Sequence, residues 1–212
     1  MLKKTFAALA LTAALGAAPL TSSAAIVLSI NPSTQNVAVG GDVFFDVTIS
    51  GLDSGGIDEI VSVFDINILF NGTLLGLPAT VTWNSALQMG FPDDADWFVS
   101  YDPAGDLGVD AFSFLTDDDD LKALQSDSFV LFSVHLTALA EGVTDLSFGP
   151  DPDFERLVVG RNAMPLDMTY IGACVSVGSN FNCNRVPEPS SYALVLAAFA
   201  ASGWAMRRRR RS

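Results

Sequence analysis

Period-two alternation, repeated along the middle of the chain, restricts the fold more than any other feature. Val43, Phe45, Val47 and Ile49 alternate with Phe44, Asp46, Thr48 and Ser50, which gathers the first set on one face of a strand and scatters it around a helix. Phe64, Ile66, Ile68 and Phe70 repeat the pattern, as do Phe132, Val134, Leu136 and Ala138. A final strand is expected to include Tyr170, Ile171, Cys174, Val175 and Val177. Turn-forming clusters separate the runs: Gly40-Gly41-Asp42, Gly51 to Gly56, Asn71-Gly72, Pro92-Asp93-Asp94, Gly142 and Gly149-Pro150. Only Leu121 to Gln125 invites a helical turn, and no fixed-period repeat appears. The expectation is all-β: a single antiparallel β-sandwich over residues 26–178, large enough for one core.

The two ends do not share that pattern. Lys3 and Lys4, the Ala/Leu-rich stretch from Phe6 to Leu20 and the small residues Ser22 to Ala25 form the three parts of a secretory signal over 1–25. Cleavage is expected after Ala24 or Ala25, which exports the chain. At the other end an uncharged run, 191–206, precedes Arg207, Arg208, Arg209, Arg210, Arg211 and Ser212. A helix over that run spans about 24 Å, short of a hydrocarbon core of about 30 Å. Arginines resist crossing a membrane, so 207–212 is expected to stay cytoplasmic while the body lies outside.

All 24 acids except Glu188 lie between Ile26 and Val186, against four bases: Lys122, Arg156, Arg161 and Arg185. Phosphate backbones and anionic lipid surfaces are bound through Lys and Arg, so this composition argues against both as partners.

The C-terminal residues resemble the PEP-CTERM sorting signal: Pro187-Glu188-Pro189, a short apolar helix with Trp204 near its end, and the arginine cluster. The resemblance implies recognition of the tripeptide by exosortase, an integral-membrane cysteine transpeptidase, and removal of helix and arginines. It also implies a Gram-negative bacterium, often one that makes exopolysaccharide. Insertion in the inner membrane would be transient, and the destination the cell surface or extracellular matrix. The parts expected are a signal peptide (1–25), the sandwich (26–178), a linker carrying the tripeptide (179–190), a transmembrane helix (191–206) and a basic tail (207–212).

The strand order resembles cohesin domains between Ile26 and Pro150. Val39-Gly40-Gly41-Asp42 leads into Val43 to Gly51; Ser62 to Leu77 gives the next block; Phe129 to Ala138 and Glu141 to Phe148 give the late pair. This resemblance implies a jelly-roll sandwich of about nine strands, related in fold to carbohydrate-binding modules. The Tyr-Asp-Pro usual after the second block is replaced by Asn71-Gly72-Thr73, so dockerin contacts are not carried over to any residue.

Several residues invite chemistry. His135 is the only histidine and sits on the polar side of its strand, with no Gly-x-Ser-x-Gly elsewhere to complete a hydrolytic site. Cys174 and Cys183, the only cysteines, most simply form one disulfide in an exported chain, whereas a redox pair is more often Cys-x-x-Cys. Aspartates crowd the segment from Asp93 to Asp110 and the run Asp117 to Asp120. A solvated acidic surface explains them; calcium held by Asp102, Asp106 and Asp110 is an alternative, and no other metal or cofactor is expected. Trp97 and Tyr101 alternate with Val99 on one strand face, as core or as a platform for sugar rings.

These observations point to an exported, non-catalytic surface or matrix protein whose sandwich binds or builds structure. Exosortase is the expected processing partner; exopolysaccharide or another surface protein is the expected ligand. A carbohydrate-binding module is the alternative, discriminated by exposed, coplanar aromatics. A glycoside hydrolase would require paired acids in a concave pocket.

Overall fold

The computed structural model describes residues 26–150, 156–179 and 183. The expected signal peptide and membrane helix, the Pro-Glu-Pro tripeptide and the terminal arginines lie outside the described residues. Within them, no helix is long and apolar enough to cross a membrane.

Twelve strands make two sheets: β1 (Ile26–Asn31), β2 (Thr34–Val37), β3 (Asp42–Ser50), β4 (Val63–Leu69), β5 (Leu75–Trp83), β6 (Ala95–Asp102), β7 (Asp106–Ser113), β8 (Ser128–Ala138), β9 (Gly142–Phe148), β10 (Arg156–Val159), β11 (Met168–Ile171) and β12 (Ala173–Val177). One five-stranded sheet has the order β11-β1-β3-β8-β5; the other runs β2-β12-β9-β4-β7-β6, with β10 also paired to β4. The all-β sandwich expected from the alternation is therefore the fold. Val43, Phe45, Val47 and Ile49 are all fully buried, as are Phe64, Ile66 and Ile68 facing them from the second sheet. Phe64 and Phe132 stack across the core with centroids 5.9 Å apart. Burying each such side chain contributes about 1.5–3 kcal/mol, which holds the two sheets face to face.

Strand β8 shows how a bulge re-aims side chains. Its register against β3 shifts between Val47, opposite Phe132, and Thr48, opposite Val130. Phe129 and Leu131 therefore point inward in one phase, and Phe132, Val134, Leu136 and Ala138 in the other. The Leu131 carbonyl accepts hydrogen bonds from the backbone N–H of Ser85 at 3.0 Å and from its Oγ at 2.9 Å.

Nine strands, β1 to β9, fall between Ile26 and Phe148, the number expected there, and β10 to β12 follow them among the described residues. One expectation needs correction. The single final strand is in fact β11 and β12, which belong to different sheets. The chain crosses between sheets at Gly172, where a Cβ would lie 2.5 Å from the Leu146 carbonyl oxygen, leaving no room for a side chain. The first strands cross in the same way, at Pro32-Ser33. As a result β1 runs parallel to β11, Ile26 opposite Met168, and β2 runs parallel to β12, Thr34 opposite Cys174. The two ends of the sandwich domain are thus joined along both sheets, two parallel pairs in an otherwise antiparallel fold.

Helix α1 (Asp118–Leu124) overlaps the expected turn, Leu121 to Gln125, and begins three residues before it. Asp117 caps it, its Oδ1 accepting from the Asp119 N–H at 2.9 Å, and acids in the first turn suit the positive end of the helix dipole. Its one fully packed residue, Leu121, fastens it to the body.

Candidate functional site

The β6–β7 hairpin forms the free edge of the larger sheet and presents its most distinctive surface. Its turn needs a glycine: Gly105 has φ +109°, and a Cβ there would lie 2.1 Å from the Phe70 carbonyl oxygen. That oxygen's own residue donates its N–H to the Gly105 carbonyl at 2.8 Å, so the hairpin tip is locked to the β4–β5 connection.

From this turn the register sets both faces. Ala95, Trp97 and Val99 of β6 and Leu107, Val109 and Ala111 of β7 pack on the core. Phe98 and Phe112 consequently face out, on diagonal positions, because Phe98 lies opposite Asp110 and Phe112 opposite Asp96. Their rings stack at 6.0 Å with planes 19° apart, and Phe112 meets Phe114 edge-on at 5.0 Å. Phe98 and Phe114 are each 55% exposed. Next to them Asp110 stands opposite Asp65 of β4, and Ser100, Gly108 and Asn67 continue the same face toward the hairpin tip. An aromatic ridge beside carboxylates is thus laid on the outward face of β6, β7 and β4. Phe98, Phe112 and Phe114 were not singled out by sequence reasoning. Only the β6–β7 register, which the sequence does not state, puts them together.

The aromatic pair that the sequence did suggest behaves differently. Trp97 turns inward and stacks on Trp83, centroids 5.7 Å apart, while Phe91 meets Trp83 edge-on at 5.2 Å. The Trp83 Nε1–H donates to the buried Ser85 Oγ at 3.0 Å. This cluster closes the flank between β5 and β6, the edges of the two sheets. Tyr101 lies beyond the core at the strand's end and is 45% exposed. Trp97 and Tyr101 therefore do not form an exposed coplanar pair: Trp97's ring face is occupied by Trp83.

The aspartates also separate. Asp102 Oδ1 accepts from the Ala104 N–H at 2.8 Å, shaping the hairpin turn, and Asp106 Oδ1 accepts from Asn67 Nδ2 at 2.8 Å. Asp102 is opposite Asp106, but Asp110 lies four residues further along β7, about 13 Å at ~3.3 Å per residue. One ion cannot span Asp102, Asp106 and Asp110. Among the described residues no three His, Cys, Asp or Glu side chains gather as a metal site.

Three aspartates of the run Asp117 to Asp120 make hydrogen bonds within the domain: Asp117 as the helix cap, Asp118 and Asp119 to the β10–β11 connection. Arg161 Nη1 donates to Asp119 Oδ1 at 3.0 Å, and its Nη2 lies 3.3 Å from Asp58 Oδ2. The Asn162 N–H donates to Asp118 Oδ2 at 2.9 Å. Lys122 pairs with Asp53 and lies 3.4 Å from Asp58. The hydrogen bond that Arg161 donates to Asp119, with the charges of Asp58, Asp119 and Asp118, holds the pKa of its guanidinium above its ordinary value, so it stays charged. Two of the four bases between Ile26 and Val186 are thereby used to pin α1 and the β10–β11 connection to the body.

His135 Nε2 lies 2.9 Å from Asp42 Oδ1, and both side chains are solvent-exposed. Such an exposed pair lacks the desolvation of a hydrolytic triad. An open groove where the chain leaves β12 is lined by Asn36, Val37, Val39, Glu141 and Gly178 among others, with Glu141 its single carboxylate.

Cys174 and Cys183 are joined in a disulfide with Cα atoms 5.8 Å apart. Cys174 is buried on β12, which pairs with β2 on one side and β9 on the other.

Comparison with known proteins matches the two parts separately. Residues 185–211 match the PEP-CTERM protein-sorting motif. No curated protein matches the chain. Among solved structures, a type II cohesin domain from the cellulosome of Acetivibrio cellulolyticus is similar at 14% identity, covering 71% of this chain and 95% of that one with TM-score 0.56. A non-cellulosomal cohesin from the hyperthermophilic archaeon Archaeoglobus fulgidus is similar at 13% identity, covering 74% and 93% with TM-score 0.53. The sixth cohesin of scaffoldin B from Acetivibrio cellulolyticus, solved in complex with a dockerin, is similar at 14% identity, covering 73% and 99% with TM-score 0.53. At such identities the likeness is one of fold. The chain carries a PEP-CTERM sorting motif behind a cohesin-like β-sandwich.

Proposed function

We propose that this chain is an exported, non-catalytic protein of the cell surface or extracellular matrix, processed by exosortase at Pro187-Glu188-Pro189. Its sandwich is a binding module that takes a protein partner on the outward face of β6, β7 and β4. The observation that carries this reading is the exposed Phe98–Phe112–Phe114 ridge beside Asp65, Asp96 and Asp110. A large aromatic surface left in water is costly unless something covers it, and aromatic anchors dominate protein interfaces. The adjacent carboxylates favour a partner presenting apolar side chains flanked by Lys or Arg. The likeness to a cohesin solved with a dockerin supports a protein ligand over a sugar, as does the loss of Trp97 to the sealed flank.

A photo-crosslinking residue placed at Phe98 in the surface protein tests the reading. Phe44, 52% exposed on the opposite sheet, is the control. A discrete protein adduct at position 98 and none at 44 is expected. Adducts to polysaccharide at 98 would favour the carbohydrate-binding alternative, and equal labelling at both positions would remove the binding face. Mass spectrometry of the surface form locates its C-terminus; retention of Arg211-Ser212 with exosortase present would make the tail an anchor instead.

A further inference from the structure

The folded domain does not release the sorting signal at the end of its last strand. β12 ends at Val177, and Gly178 is still held by its N–H to the Val37 carbonyl at 2.8 Å. Five residues later, Cys183 is bonded back to Cys174 within β12. The covalent exit point is therefore Cys183, only four residues before Pro187.

Chain length converts this into distance. An extended chain advances at most about 3.6 Å per residue, so Pro187 stands no further than ~14 Å from Cys183, and Ser191 no further than ~29 Å. If Gly178 were the last fixed residue, the same limits would be ~32 Å and ~47 Å. The bridge removes roughly 18 Å of reach.

We infer that Cys174 and Cys183 are positioning residues for the processing reaction: their bridge holds the sandwich close to Pro187-Glu188-Pro189 and thereby limits the rate at which a membrane-embedded transpeptidase engages the tripeptide. The inference rests on the reading that exosortase processes this motif. A substrate gripped in extended form over four residues occupies about 13 Å, the whole spacer. The sandwich, with its cover of loops, is then brought against the enzyme or the bilayer whenever the motif is seated. A purely stabilising role accounts less well for the position of the bond. β12 is already paired on both edges, and Ala173, Val175 and Val177 are already buried in the core. Besides closing a short loop, the bond supplies a shorter leash.

The experiment follows processing of the full chain in cells with exosortase, by pulse–chase. Three variants are compared with wild type: Cys174→Ser with Cys183→Ser, a five-residue Gly/Ser insertion between Cys183 and Asn184 with the bridge intact, and both changes together. The insertion leaves residues 185–211 and the disulfide untouched, so it reports spacing independently of folding. Each longer leash is expected to raise the initial rate about threefold or more, and the combination to add little, because a tether that already spans the gap gains nothing from extra length. An insertion variant processed no faster than wild type overturns the positioning role alone. A wild-type chain that keeps its tail overturns the processing reading and the positioning role with it.

Discussion

On the flank where β5 meets β6, the sandwich is closed by stacked aromatic rings, Trp83 on Trp97 with Phe91 against them; on the flank where β2 meets β12, the last segment is held by a covalent bond, Cys174–Cys183. The difference follows from what each flank has to bury. Near β6 the chain supplies large apolar side chains on both sheets, and closing the corner takes part of their surface out of water. Beyond β12 the next two residues, Gly178 and Ser179, carry almost no apolar side chain. A stretch that begins with Gly178 and Ser179 offers the hydrophobic effect little to hold at its start. In an exported chain a disulfide can hold it. The comparison teaches that one flank is fastened by folding itself and the other by chemistry that follows folding.

The contrast can be broken from either side. Trp83→Ala should have the largest effect, about 3–4 kcal/mol lost in denaturant unfolding, since it removes the ring between Trp97 and Phe91 and the donor to Ser85. Replacing both cysteines by serine should cost about 2–3 kcal/mol, the entropy of closing a short loop, and reducing wild type should reproduce it. If the cysteine change costs more than Trp83→Ala, the bond rather than the aromatic corner holds the sandwich together. Phe98→Ser should change stability least, within about 0.5 kcal/mol, because the ring lies outside the core. A loss of several kcal/mol there would show that the outward ridge is structural and would remove the candidate face.

Particular residues show why some of this was legible in the sequence and some was not. Val43 to Ile49 and Phe64 to Phe70 declared their strands because each alternates without interruption over a whole strand. β8 declared only its second half, since the bulge at Leu131 and Phe132 puts inward residues side by side and hides the period. Trp97 and Tyr101 were correctly placed on one side of β6, but alternation cannot say which side is buried. Phe98, one residue away, turned out to face the solvent. Asp102, Asp106 and Asp110 looked like a cluster because they are close in sequence, whereas the hairpin register sets Asp102 opposite Asp106 and leaves Asp110 about 13 Å further along β7.

The sequence by itself determined the class of fold, the acidic character of the body and the sorting motif at the tail. These depend on local periodicity, on composition and on a short ordered pattern, all of which are properties of neighbouring residues. Only the tertiary structure decided that the chain ends cross sheets together at Pro32-Ser33 and Gly172, that Trp97 seals a corner, and that Phe98, Phe112 and Phe114 meet on one face. Each of those depends on which strands become neighbours. Strand pairing joins residues far apart in sequence through backbone hydrogen bonds that every residue type except proline can make, so the pairing leaves little trace in the residues themselves.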